Sequence, residues 1–467
     1  MLVLGERSRR VVSQMLESRL RGSVVVGILL ILLVVLFFTH ASTEGITLAE
    51  GVFTVVFATL MFVHGIFGLT TRSSYAIRIV KANVKVLGVG LFLVVYGVLL
   101  AAYHGHDVRY WYLDVYRFIP ILACFPAAAW IRTERQWKVL LGGVVVLGLA
   151  ASLRDLATMG ASGIVIRLAF TELANIDYLV GLVLCLGVMI CERARALRVL
   201  TALAIIPLLA RTFFAVNRIA LAALAICMLL LYAKAAKMRR VGSAVVISSL
   251  LAVSVGLGSR YLAGGVIESY WNLWTLRIGR SDVGLLLRGA EANTVFEIVK
   301  KKPLGDGFGS VGYFGVFHAL APKSALTEKA YVHNLFLFML WKLGIVGVVL
   351  CGLLLTALVR LVKWAWDCED PLVWVVTVSL VSLFVYSLGE TLFMRHDFNL
   401  LGGILLGYTI YRRHPPIGGP GPAGEDGTTG RSAGPDSVGN PPGQAGPGGM
   451  SAGRGASNHR LAGMSPL

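Results

Sequence analysis

Long apolar runs recur along the chain, and they limit its possible folds more than any other feature. The stretch from Val24 to Phe38 is apolar on every face, and runs of about 17 to 25 such residues follow it as far as position 411. A helix of that length crosses a hydrocarbon core of about 30 Å, at about 1.5 Å per residue. Hydrophobic residues make up 56% of the chain and charged residues only 15%. The pattern predicts an all-α polytopic membrane protein.

We place about twelve membrane-spanning helices on these runs, with one long loop before the tenth. The predicted spans are 23–39, 46–69, 84–103, 114–131, 138–153, 177–191, 197–210, 213–233, 242–258, 333–359, 371–393 and 398–411. The chain then divides into an N-terminal segment (1–22), spans one to nine (23–258), a large loop (259–332), spans ten to twelve (333–411) and a tail (412–467). Apolar residues at helical spacing after Arg288 predict a short helix within the large loop.

The net charge of +18 comes from short clusters of Lys and Arg that lie between the apolar runs. The positive-inside rule places such clusters on the cytoplasmic side of a membrane. They are Arg9, Arg10, Arg19 and Arg21, then Arg72 to Lys85, Arg132 to Lys138, Arg193 to Arg198, Lys234 to Arg240, Arg360 to Lys363, and Arg412 with Arg413. All fall on one side of a twelve-span arrangement, so both termini are predicted to be cytoplasmic and the large loop to be on the outer side. The charge is therefore a topology signal, and we expect no nucleic-acid partner.

The tail after Arg413 has a different composition, rich in Gly, Pro, Ser and Ala, as from Pro441 to Gly449. It cannot bury enough apolar surface to fold, so we predict a disordered cytoplasmic tail. The six cysteines have no paired spacing that would indicate a disulfide framework or a zinc site.

Ionisable groups near the outer ends of the spans are the candidates for function, because charge at membrane depth is costly. Arg218 lies a turn or two below the outer end of its span, with Arg211 at the mouth, and snorkelling to the interface is the alternative explanation. His333 and Asn334 stand at the outer start of span ten, where a helix N-terminus adds partial positive charge. A simple polar cap is the alternative there.

Two other groups of residues can be explained by structure alone, a glycine-rich segment and a cluster of charged residues. Glycines at 305, 307 and 309 permit a tight turn, whose backbone amides could face phosphate or sugar, but turn formation alone is favoured. No Gly-Lys-Ser/Thr follows them, so this is not a P-loop. Near the last outer turn, four residues could pair among themselves: Glu390, Arg395, His396 and Asp397.

Three segments in this order resemble the superfamily of O-antigen ligases and O-antigen polymerases, which transfer glycans in the bacterial envelope. The first is Asn217-Arg-Ile-Ala-Leu-Ala-Ala-Leu, which is similar to the family's arginine-containing, leucine-rich span. The second is Arg288, followed by Pro303-Leu-Gly-Asp-Gly-Phe-Gly. The third is His333-Asn-Leu-Phe-Leu-Phe-Met-Leu-Trp-Lys-Leu-Gly-Ile-Val-Gly, which resembles the family's His-Asn/Ser, apolar stretch, Gly-Ile-x-Gly signature. The resemblance covers roughly positions 205 to 350.

The resemblance implies a GT-C-like inner-membrane enzyme with the large loop and the active site facing the periplasm. It implies transfer of a glycan from undecaprenyl pyrophosphate onto lipid A core, in lipopolysaccharide biosynthesis, with no cofactor. It carries over Arg218, Arg288 and His333 as functional residues. Arginines would bind the departing pyrophosphate and His333 would take the proton of the acceptor hydroxyl, inverting the anomeric configuration. Arg211 and Asn334 are further binding candidates, and we expect no metal because no acidic cluster accompanies them.

Other functions stay open at this point. Polymerases share the pattern, but their outer loops are associated with an arginine that is followed, after ten intervening residues, by a glycine. In this chain a glycine is absent at that distance from each of the outer arginines Arg154, Arg167, Arg277, Arg280 and Arg288. That difference favours the ligase branch. A protein O-oligosaccharyltransferase would differ in acceptor rather than donor chemistry. A flippase for lipid-linked glycans would also have about twelve spans, but with charges spread along a central path.

Overall fold

In the computed structural model the chain is described over residues 6–38, 51–63 except 54, 58 and 62, 74–162, 177–191, 195–214, 218–238, 242, 283–313, 328–329, 332–389 and 394–415. Three predicted features lie outside these residues: nearly all of the ninth span (242–258), much of the large loop, and the tail from 416 onward.

The described residues are almost entirely helical. The helices are α1 (Glu6–Phe38), α2 (Ser74–Ala82), α3 (Val84–Tyr103), α4 (Val108–Phe118), a 3-10 helix (Ile119–Ala123), α5 (Cys124–Trp130), α6 (Glu134–Ser162), α7 (Asp177–Cys191), α8 (Arg195–Phe214), α9 (Arg218–Lys237), α10 (Val283–Lys301), α11 (Leu335–Asp367), α12 (Pro371–Ser387) and α13 (His396–Arg413). Two short strands, β1 (Gly312–Tyr313) and β2 (Glu328–Lys329), pair antiparallel, with Gly312 opposite Lys329. The all-α prediction is confirmed, and α10 is the helix predicted after Arg288.

Four helical segments in the described part of the chain are long and apolar enough to cross a membrane. They are Tyr110–Trp130, Glu134–Ala157, Ile219–Lys237 and Leu335–Asp367, and five shorter apolar helices accompany them. Much apolar surface on α11 faces outward, since Ile345, Val349 and Val359 are 63%, 59% and 59% exposed. Soluble monomers rarely expose contiguous apolar surface of this kind, whereas lipid-facing helices do so by necessity. The fold is that of a helical membrane protein.

The core is built around α7, which packs against α6, α8, α9 and α12. Glycines let these helices approach closely. A Cβ on Gly187 would collide with Val375 of α12, and one on Gly181 would lie 3.6 Å from the Cα of Val145 in α6. Small residues at helix crossings allow close van der Waals contact, which is the main source of helix association where lipid surrounds the bundle. The apolar sequence of α7 is therefore buried rather than lipid-exposed.

Polar contacts join helix ends at one end of the bundle. The Lys234 ammonium at the end of α9 donates to the carbonyls of Trp366 and Cys368, at 2.6 and 3.1 Å. The Tyr411 hydroxyl of α13 donates to the carbonyl of Arg132 at 3.1 Å, and Arg412 pairs with Asp370 at the start of α12. These contacts bring together basic segments that the sequence places on the same side.

At the other ends of the helices, α6 and α8 are joined by a buried ion pair between Asp155 and Arg211. Asn399 in the first turn of α13 donates to the carbonyl of Arg117 in α4 at 2.8 Å. Asn334, just before α11, donates to the carbonyl of Leu388 just after α12 at 2.6 Å. These contacts join helix ends that lie near the predicted outer turns.

The long helix α11 is interrupted at Gly344, which has φ 58° and ψ −143°. The interruption frees the carbonyls of Trp341 and Lys342 and the amide of Ile345, which an unbroken helix would pair within itself. The segment Pro303–Gly309 supplies their partners. The amides of Asp306 and Gly307 donate to the carbonyls of Trp341 and Lys342 at 2.9 and 2.8 Å, and the Ile345 amide donates to the Pro303 carbonyl at 3.1 Å.

Gly305 and Gly344 face each other across this junction, backbone against backbone. A Cβ on Gly305, whose φ is +101°, would lie 2.6 Å from the Lys342 carbonyl oxygen and the Gly344 amide nitrogen. A Cβ on Gly344 would collide with the Pro303 carbonyl oxygen. Both positions thus combine a positive φ with a lack of space, and only glycine satisfies both conditions.

A buried ion pair fixes the same junction from the side. The Lys342 side chain is fully buried, and its ammonium lies 2.9 Å from the Asp114 carboxylate of α4 and donates to the Ser310 carbonyl at 2.6 Å. It also lies 4.3 Å from the centre of the Trp341 ring. Asp114 in turn accepts from the Gly309 amide at 2.7 Å. Charge inside an apolar bundle is stable only when paired and hydrogen-bonded, and each of these contacts contributes to that condition.

Replacing Gly344 with Ala is expected to destabilise the protein, by about 1–3 kcal/mol from the positive φ alone. The collision of the added methyl group with the Pro303 carbonyl adds to that loss. The thermal unfolding midpoint of the purified protein in detergent measures the effect. The matched control is Gly352→Ala in the same helix, where an added Cβ meets nothing within 4 Å. Equal midpoints for the two variants would contradict the description of the junction.

Candidate functional site

The start of α11 carries the predicted pair His333 and Asn334. Asn334 is the N-cap, since its side-chain oxygen accepts from the amides of Phe336 and Leu337 at 2.8 and 3.2 Å. Its side-chain nitrogen donates to the Leu388 carbonyl. The polar cap considered from the sequence is therefore Asn334, and its neighbour His333 has a different environment.

His333 is held by Glu291, which lies on α10. The Nδ1 atom of the ring lies 2.9 Å from both carboxylate oxygens of Glu291. The backbone amide of His333 donates to the same carboxylate at 3.3 Å. The two side chains differ in exposure, with 33% for His333 and 3% for Glu291. A buried carboxylate therefore fixes both the backbone and the ring of a partly exposed histidine.

Glu291 did not figure in the sequence prediction. It lies three positions after Arg288 in α10, so the two residues are on the same face of that helix. The signal that could have found it is an acidic residue one helical turn before the apolar Val295, since a buried carboxylate needs a partner.

Arg288 approaches the same place from α10. Its Nη1 atom lies 3.6 Å from the position that a Cβ on Gly389 would occupy. Ile219 of α9 touches that position from another side. Arg218, the first residue of α9, precedes Ile219, and the side chain of Arg218 lies outside the described part of the structure.

The two residues Leu388 and Gly389 are therefore a meeting point of three helices. Asn334 binds the Leu388 carbonyl, Arg288 lies over Gly389, and the start of α9 packs beside it. We call this place the α12-end cluster, comprising Arg288, Glu291, His333, Asn334 and the Leu388–Gly389 segment. Of the predicted site residues, it brings together Arg288, His333 and Asn334, and the backbone of Arg218 begins next to it.

The glycine segment is not a phosphate cradle. The amides of residues 306 to 309 donate to Trp341, Lys342, Gly97 and Asp114 within the protein. The preferred interpretation from the sequence, turn formation, is confirmed. Asp306 in this turn is bound by Lys302 and lies 3.4 Å from the His106 ring. Burial raises the pKa of Asp306, but the Lys302 ammonium and His106 lower it further, so the net pKa is below its usual value.

Arg211 lies in a different environment from the cluster residues. Its side chain is 1% exposed, its Nε donates to the Asp155 carboxylate at 2.6 Å, and its guanidinium lies 4.9 Å from the centre of the Tyr178 ring. Arg154 binds the other oxygen of Asp155 at 3.1 and 3.2 Å. Arg211 is thus enclosed with a carboxylate inside the bundle, which favours a structural role over the predicted role in binding phosphate.

Two of the four polar residues near the last outer turn pair with each other, as the sequence suggested. Arg395 binds Asp397 through two hydrogen bonds, at 3.0 and 2.7 Å. His396 is buried, with its ring 4.4 Å from that of Tyr116. Glu390 lies outside the described residues.

Within the described ranges, no group of three or more His, Cys, Asp or Glu side chains is arranged to hold a metal ion. A scan of the chain against protein-family models finds no match, and a search of curated proteins finds no significantly similar sequence.

If Arg211 has a structural role, Asp155→Ala should destabilise the protein by about 3–5 kcal/mol, because it leaves the buried Arg211 charge without its carboxylate. Arg211→Ala should cost less, because Arg154 still binds the Asp155 carboxylate. The double variant Arg211→Met with Asp155→Leu should recover much of the loss seen in Asp155→Ala. Unfolding midpoints in detergent measure all three. A double variant no more stable than Asp155→Ala would show that the two charges do not depend on each other.

Proposed function

We propose that this protein is a glycan ligase of the bacterial envelope, which moves a glycan from undecaprenyl pyrophosphate onto a sugar hydroxyl of lipid A core. One observation carries the proposal. The three segments that bear the sequence resemblance, at Arg218, Arg288 and His333, converge on the α12-end cluster although they are far apart in the chain. A shared site would give these separate segments one chemical role.

The proposal includes the predicted arrangement in the membrane. It has about twelve spans in the inner membrane, with the large loop and the site facing the periplasm. The contacts at the helix ends support this arrangement. Basic segments meet at one end of the bundle, and other contacts join the opposite helix ends, where the cluster residues lie. A lipid-linked donor would reach such a site from the plane of the membrane.

The chemistry fits the residue types in the cluster. The acceptor hydroxyl oxygen attacks the anomeric carbon of the donor glycan, and its proton passes to the exposed nitrogen of His333. The bond between the anomeric carbon and the pyrophosphate oxygen breaks, and its electron pair leaves with the carrier. Arg288, with Arg218, neutralises the charge that develops on the pyrophosphate, since a guanidinium binds phosphate oxygens through two hydrogen bonds and keeps its charge. Arg211 has no role in this scheme.

Alanine substitution of His333 or Arg288 tests the proposal in vesicles that contain purified protein, undecaprenyl pyrophosphate glycan and lipid A core. His333→Ala should lower the transfer rate about 10²- to 10⁴-fold through loss of the general base. Arg288→Ala should lower it about 10²- to 10³-fold through loss of charge stabilisation. Formation of the ligated product, followed on gels, measures both.

Lys300→Ala is the matched control, because Lys300 lies on the same helix as Arg288 but is exposed and paired only with Glu297 in the described contacts. It should transfer at the wild-type rate. Unchanged transfer in both His333→Ala and Arg288→Ala would overturn the proposal. Movement of the glycan across the bilayer without a covalent product would favour a flippase instead.

A second prediction concerns metal ions. The proposed stabilisation of the leaving pyrophosphate comes from arginines, so EDTA should leave the transfer rate unchanged. The same vesicle assay with and without chelator measures it. Strong inhibition that added Mg²⁺ reverses would contradict this mechanism.

A further inference from the structure

The contact between Glu291 and His333 is more specific than an ion pair that only joins two helices. Both carboxylate oxygens lie 2.9 Å from the same ring nitrogen, Nδ1, and one of them also accepts from the His333 backbone amide at 3.3 Å. The ring is thereby fixed in rotation about its side-chain bonds. Because Nδ1 is engaged by Glu291, Nε2 is the ring nitrogen that remains to meet a substrate, on a side chain that is 33% exposed.

The contact also determines where the proton of a neutral ring is carried. An ionised carboxylate can only accept hydrogen bonds, so the nitrogen that faces it must be the protonated one. With the proton on Nδ1, Nε2 has a free lone pair. That is the form of histidine that can accept a proton from a hydroxyl group.

Two of the other buried carboxylates with close cations, among the described residues, differ in kind. Asp114 faces Lys342 and Asp155 faces Arg211, and in both pairs the basic side chain is at most 1% exposed. Those contacts join helices in the interior. Glu291 instead combines a carboxylate that is 3% exposed with a base that is 33% exposed, which directs the base toward the surface of the cluster.

We propose that Glu291 is a positioning residue for glycan transfer, which holds His333 with its proton on Nδ1 and its lone pair on Nε2 toward the acceptor hydroxyl. The inference rests on the proposed function. During transfer the hydroxyl proton moves to Nε2 while the new glycosidic bond forms and the bond to pyrophosphate breaks. The Nδ1 proton stays on the ring, and the carboxylate charge stabilises the imidazolium that results.

Kinetics of Glu291 variants separate positioning from simple helix packing. Glu291→Gln keeps the shape and an oxygen that can accept from Nδ1, but it removes the charge, so kcat should fall about 10- to 100-fold with little change in KM. Glu291→Ala removes both effects, and kcat should fall about 10²- to 10⁴-fold. The matched control is Glu297→Gln, an exposed position on the same helix, which should retain the wild-type kcat. Wild-type kcat in Glu291→Gln would overturn the proposal.

A spectroscopic measurement tests the proposal without any substrate. Protein labelled with ¹⁵N at histidine is studied by solid-state NMR in lipid bilayers, well above the usual histidine pKa of about 6.5. The signals of His333 are identified by their loss in His333→Gln. We expect a protonated Nδ1 and an unprotonated Nε2 in the wild type, and loss of that preference in Glu291→Ala. A wild-type ring with its proton on Nε2 would overturn the proposal.

The two measurements fail independently of each other. If the wild type transfers no glycan but shows the expected Nδ1 proton and its dependence on Glu291, the positioning contact stands and the proposed function is wrong. If the wild type transfers glycan while the ring carries its proton on Nε2, the proposed function stands and the role of Glu291 is wrong. The wild-type spectrum decides the second point even if a Glu291 variant does not fold.

Discussion

Helix α11 does not complete its own hydrogen bonds at Gly344, and the segment Pro303–Gly309 makes them instead. Most of the candidate site depends on this junction. The segment follows directly after α10, so anchoring it on α11 also sets where α10 lies along that helix. Arg288 and Glu291 are thereby held opposite the start of α11, where His333 lies. An interrupted helix within an apolar bundle is tolerated only where other parts of the protein satisfy its free backbone groups, and the segment meets that requirement.

Hydropathy predicted part of the fold to the residue, and the reason is physical. The predicted segments 84–103 and 177–191 coincide with the helices α3 and α7, because the length and apolarity of such a helix are determined locally by its sequence. The break at Gly344 was missed, because hydropathy carries no information about φ. Glu291 and Lys342 were missed for another reason. Their roles depend on partners that only the fold brings close, 42 residues away for Glu291 and on α4 for Lys342.

Charge inside this bundle has two uses. Lys342 and Arg211 are strong bases, and each is enclosed with a carboxylate inside the protein. From the sequence alone Arg211 was a further candidate for binding phosphate, since its partner Asp155 lies 56 residues earlier in the chain. The weak base His333 is the one of the three that retains appreciable exposure. Burial, which a sequence does not display, distinguishes a cation that stabilises the fold from one that is available for chemistry.

The junction at Gly344 also determines which parts of the chain can be exchanged between homologous proteins. A transplanted α11 would bring two unpaired carbonyls and one unpaired amide unless the segment Pro303–Gly309 accompanied it. Lys342 of the transplanted helix would likewise need its partner, the Asp114 carboxylate of α4. Recombination breakpoints between these elements should therefore be selected against, while those in the lipid-facing part of the helix beyond Gly344 should be tolerated. The chain thus contains a module that is discontinuous in sequence and that has to be exchanged as a unit.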